Sequence, residues 1–188
     1  MEIYPVFLLV SCAAVALLAA ALFVLTVSRS PAVFRADEHL PRERVSGTVL
    51  ALLVLMWCVP NIRPIFMPDS PFQRLILPLL AVAFVLSALF LNYLFARASA
   101  AVLILGAHAI LKAVYPLNPP GYALLAALVM AAGVIGIVIS AKPYWLRDWF
   151  RLSFKQPAVR WSSVGFFLVL CAVSGFCAVQ LAGAGAGA

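Results

Sequence analysis

The sequence predicts an all-α fold, a polytopic transmembrane helical bundle of six spans with one short interfacial helix. Three observations carry that prediction. Hydrophobic residues make up 66% of the 188 residues and charged residues only 10%, against about 45–50% and roughly 25% in soluble domains, so there is too little polar surface to face water. The apolar residues gather in runs long enough to cross a ~30 Å hydrocarbon layer at 1.5 Å per residue. The basic residues lie between those runs, where they would meet lipid head groups and set orientation.

The first expected span covers residues 5–28. A cleaved secretory signal would place a basic segment before a shorter apolar run. Here the chain starts with acidic Glu2 and the run is long, so the span is expected to be retained. Residues 29–44 form a polar loop in which Arg29, Arg35, Arg42 and Arg44 are offset by Asp37, Glu38 and Glu43.

The second span, 45–61, has its apolar part at 45–59 and crosses only with its flanks or in a locally thinned bilayer. Pro64, Pro68 and Pro71 then forbid a continuous helix through an external loop. Arg63, Asp69 and Arg74 in that loop are candidates for a specific external surface, the alternative being a rigid connector.

The third span covers 75–96, with Pro78 tolerated in its first turn, and the fourth covers 98–115. Arg97 alone separates them, so a tight reversal is expected at 96–99. The length of 98–115 also allows it to dip in and return without crossing. The segment PLNPPG at 116–121 is a break.

The fifth span, 121–141, is rich in small residues (Ala126, Ala127, Ala131, Ala132, Gly133 and Gly136), which let helix backbones approach closely. Residues 144–154 read as a helix lying in the interface, with its aromatic groups inserted into lipid and its cations on phosphates. The sixth span, 161–182, is followed by a GAGAGA tail expected to fray.

Threading six spans alternately puts the 29–44 loop, Arg97 and the 142–160 segment on one face, together holding ten of the 13 basic residues. An excess of Lys and Arg marks the cytoplasmic side, so both termini are expected outside the cytoplasm of a cell inner membrane. No basic stripe on a soluble module suggests nucleic acid.

Chemistry is sparse. None of the six carboxylates (Glu2, Asp37, Glu38, Glu43, Asp69, Asp148) lies in an apolar run, which disfavours a proton relay, an ion-coupled pump or carboxylate hydrolysis. No zinc, phosphate-loop or nucleophile–base motif is present, so no enzyme activity and no cofactor are expected. The four cysteines read as small buried hydrophobes; a disulfide among Cys12, Cys58 and Cys177 is the alternative.

His108 and Lys112 are the ionisable pair within an apolar run, and a spacing of four places them on one helix face. With Asn92 they are the ligand-binding candidates, for an anionic or quinone-like molecule. Haem ligation lacks a second membrane histidine, because His39 is expected on the opposite face. The plainer reading is that Lys112 snorkels to the outer interface while His108 bonds a neighbouring helix.

Trp145, Arg147, Trp149, Arg151 and Lys155 are expected to touch lipid head groups or a cytoplasmic partner. The expected function is a non-catalytic accessory or scaffold subunit of a membrane complex. The alternative is a small-solute transporter or its membrane substrate-binding component.

Overall fold

The computed structural model describes residues 3–28, 44–62, 71–90 and 93–186. The described chain is nearly all helical. Its helices are α1 (Ile3–Ser28), α2 (Arg44–Ile62), α3 (Pro71–Phe90), α4 (Leu94–Val114), α5 (Tyr122–Ala141), α6 (Tyr144–Lys155) and α7 (Pro157–Ala186), with a 3₁₀ turn at Tyr115–Leu117. Four of these, α1, α4, α5 and α7, are long and apolar enough to cross a membrane. The apolar parts of α2 and α3 are shorter, Val45–Val59 and Pro78–Ser87.

The four long helices are also the ones that build the centre. Leu9 and Ala16 of α1, Ile110 and Val114 of α4, Leu125 and Val129 of α5, and Leu170, Cys177 and Ala178 of α7 form one buried cluster. Helices α1 and α7 pack along their lengths, as do α4 and α5. Helix α2 lies on α4, and α3 packs on α2, with Phe84 meeting a cluster of Ala51, Leu94 and Ala98. Apolar side chains point outward everywhere, including Leu17, Leu18, Leu79, Leu89, Ile137 and Val179. Such a surface suits lipid rather than water.

Close approach depends on glycine at two positions. A Cβ on Gly136 would sit 2.8 Å from the Ala100 carbonyl oxygen and 3.0 Å from the Leu103 Cβ, and one on Gly47 would sit 2.7 Å from the Phe95 backbone nitrogen. Gly136 therefore seats α5 on α4 and Gly47 seats α2 on the start of α4, the small-residue packing expected of helices in lipid.

Several boundaries differ from the sequence reading. The boundary expected at 96–99 lies earlier in the chain: α3 ends at Phe90, Tyr93 takes a left-handed conformation (φ 63°) immediately before α4, and Arg97 sits in the first turn of α4. Arg97 is exposed there, and its long side chain can reach the head-group layer from inside the helix. Residues 98–114 belong to one uninterrupted 21-residue helix, Leu94–Val114, with Tyr115 in the 3₁₀ turn that follows, instead of dipping and returning. The GAGAGA tail, expected to fray, continues α7 as far as Ala186. The four cysteines are free thiols, with Cys177 buried.

The connections follow local chemistry. After Val114 the chain turns through Asn118 (φ 39°) and Gly121 (φ 87°), both left-handed, and the Tyr122 N–H donates to the Pro119 carbonyl at 2.9 Å. Gln156 is extended between α6 and α7, and Pro157 opens α7 where its missing N–H costs nothing.

Candidate functional site

Helix α6 is the most organised feature outside the central bundle. Its residue pattern alternates faces with helical spacing, which a 12-residue helix needs if it is to be held by packing and not by propensity. Leu146 and Ser153 are buried, and Trp149 and Phe150 are half-buried. Tyr144, Trp145, Asp148, Arg151, Leu152 and Lys155 are exposed.

The buried face ties together four helix ends. Leu146 packs with Ala96 and Ala100 of α4 and Ile139 of α5. Phe150 also packs against the cluster of Ala20 and Phe23 of α1 with Val164 of α7. Phe23 stacks on Trp149 with ring centroids 5.8 Å apart and meets Phe150 at 6.4 Å. The end of α1, the start of α4, the end of α5 and the start of α7 therefore meet under α6, at one end of the bundle.

Part of the aromatic face of this segment is engaged by the protein itself. Trp149 and Phe150 turn inward onto Phe23, because the ends of α1 and α7 offer an apolar seat there; Trp145 remains half exposed (49%). The Ser153 hydroxyl is satisfied within the helix, donating to the Trp149 carbonyl at 2.8 Å.

The polar groups of α6 are arranged at its rim. Arg147 pairs with its neighbour Asp148 at 3.2 Å. That pair is exposed enough to contribute little to stability. The Lys142 ammonium lies 5.4 Å from the Trp145 ring centroid and the Arg160 guanidinium 5.7 Å from the Trp161 ring. Each is within cation–π range. Lys142, Arg147, Arg151, Lys155 and Arg160 face a single acid, Asp148, in this part of the chain. The surface can hold phosphate or carboxylate groups, and its apolar patch of Trp145 and Leu152 can hold a side chain from a partner.

The ligand-binding candidates are placed differently. His108 and Lys112 lie on one face of α4, and both are exposed on the outside of the bundle instead of enclosed between helices. Asn92, Arg63 and Asp69 fall outside the described residues; Arg74 lies in the first turn of α3. Among the described residues, no group of three or more His, Cys, Asp or Glu could hold a metal ion.

Sequence reasoning missed Phe23, the residue that receives α6. Its only signal is position: it is an aromatic residue in the last third of an apolar run, at the end expected to share a face with 142–160. No protein family, curated protein or solved structure matches this chain.

Proposed function

We propose that this chain is a multi-pass inner-membrane protein that acts as a non-catalytic accessory or scaffold subunit of a membrane complex. In this reading α2 and α3 cross the bilayer along with the four long helices, giving six spans. At 19 and 20 residues the two helices are about 28–30 Å long, but their apolar parts are shorter, so in this reading they cross with their flanks or in a locally thinned bilayer. Alternate threading puts α6 and the basic residues around it on the cytoplasmic side and both termini outside.

One observation carries the subunit reading. Helix α6 is fastened across the bundle by Leu146, Trp149 and Phe150, so its other face, with Trp145, Leu152, Arg151 and Lys155, turns away from the protein core. An aromatic and basic face held rigidly on a scaffold has the composition of a protein docking surface, in which Trp and Arg dominate. A simple lipid anchor would need no such fastening.

Gentle detergent extraction of the tagged chain tests the proposal. The expected result is a heteromeric assembly of fixed stoichiometry from which a Trp145→Ala/Leu152→Ala variant loses the partner while its own membrane abundance is unchanged. A strictly monomeric particle that binds a small solute would overturn it.

A further inference from the structure

We infer that the exposed face of α4 at the end remote from α6 binds an anionic glycerophospholipid, with Lys112 on the phosphate and His108 on the ester carbonyl beneath it. The inference rests on the membrane-spanning reading above. Taken at 100° per residue, Arg97, His108 and Lys112 fall within about 60° of one another around α4, and Tyr115 follows in the 3₁₀ turn at its end. All four are exposed, and the side chains of Arg97, His108 and Lys112 have no partner among the described residues. Every ionisable side chain of α4 thus lies on one side of the helix, at a position left exposed.

Depth along the helix separates the roles. Arg97 stands three residues after the start of α4 and Lys112 two residues before its end. At about 22 Å apart along the axis, both can snorkel to opposite head-group layers. His108 cannot. It lies about 6 Å deeper than Lys112 on a shorter side chain, where an unpaired polar group facing hydrocarbon is costly.

A glycerophospholipid removes that cost, because it presents its groups in the matching order: phosphate first, ester carbonyls deeper. The Lys112 ammonium donates to the phosphate, an imidazole N–H of His108 donates to a carbonyl oxygen, and Tyr115 stands above both at the head-group level. Charge selects the occupant. A second copy of this chain has no carboxylate in any apolar run to offer His108 and would bring cation against cation. A lipid of net negative charge supplies what the stripe lacks.

The test uses the full chain reconstituted in phosphatidylcholine vesicles doped with a photoactivatable phosphatidylglycerol, with labelled positions mapped by peptide mass spectrometry. The probe is expected to label residues 105–117 in excess over α1 of the same molecules. Lys112→Gln is expected to lower that excess about fivefold, the factor set by one basic residue at a membrane surface, and Lys112→Arg to retain it. His108→Leu is expected to weaken labelling by phosphatidylglycerol and by a photoactivatable phosphatidylcholine in equal proportion, because the carbonyl contact carries no charge. Uniform labelling of α1 and α4, or an excess unchanged in Lys112→Gln, would overturn the lipid site alone. Absence of labelling anywhere would remove the membrane reading together with it.

Discussion

Phe23 of α1 and Trp149 of α6 stack with ring centroids 5.8 Å apart and planes inclined by 24°. This pair joins the end of the first helix to a segment 126 positions later in the sequence, so it reports on whether α6 is docked. Aromatic pairs of this geometry contribute about 0.5–1.5 kcal/mol beyond the area they bury. A double-mutant cycle of Phe23→Leu and Trp149→Leu, read by thermal unfolding in detergent, is expected to give a coupling energy of about 1 kcal/mol. Strict additivity would show that the rings do not act together.

The two faces of α6 should respond unequally to truncation. Leu146 is buried among Ala96, Ala100 and Ile139, so Leu146→Ala removes packing that the neighbouring alanines cannot replace, at a cost of about 2–5 kcal/mol. Leu152, six residues on, is exposed. Leu152→Ala should change stability by less than about 0.5 kcal/mol. Equal losses in the melting curves would place the helix in a different rotation.

The contrast also shows what the residue order could and could not convey. The bounds of α6 were legible almost to the residue, since the apolar residues Leu146, Trp149, Phe150 and Phe154 recur at spacings of three and four between Pro143 and Pro157. The direction of its apolar side was not, because the same period serves a helix sunk in lipid and one seated on Phe23. The α3–α4 reversal was displaced for a similar reason: Arg97 looks like a loop residue, yet a long cation in the first turn of a helix can reach the membrane surface. The actual break uses Tyr93 in a left-handed conformation, which costs a non-glycine residue about 1–2 kcal/mol and leaves no clear mark in composition. For the ligand-binding candidates the spacing of His108 and Lys112 gave their common face correctly. That this face is the uncovered one depends on how α1, α2 and α5 surround α4, and such packing partners cannot be read from one strand of sequence.

The proposed threading makes a directional prediction. Asn118, in the α4–α5 connection, and Asp148, on the exposed face of α6, are both surface residues at opposite ends of α5. In a background with the four native cysteines replaced, a membrane-impermeant maleimide applied to intact cells should modify Asn118→Cys and spare Asp148→Cys until the cells are opened. Labelling of Asp148→Cys in intact cells would reverse the orientation, and labelling of both would break the alternation of spans.

Glycine substitutions should separate a position where backbones meet from one where they do not. At Gly136 an added methyl would fall 2.8 Å from the Ala100 carbonyl oxygen, a backbone atom that can yield only if α4 and α5 move apart. Overpacking of this kind costs about 1–3 kcal/mol, and loss of the α4–α5 seat would also loosen Leu146, which rests on Ala100 and Ile139 from the same two helices. At Gly165 in α7 nothing lies within 4 Å of the added atom, so Gly165→Ala gains only the reduced backbone freedom of alanine, about 0.5–1 kcal/mol in favour of the helix. Thermal unfolding of the two variants should therefore shift in opposite directions. If Gly136→Ala proved neutral, α4 and α5 would have to lie farther apart than the close Gly136–Ala100 approach requires, and α6 would not rest on a tight α4–α5 seat.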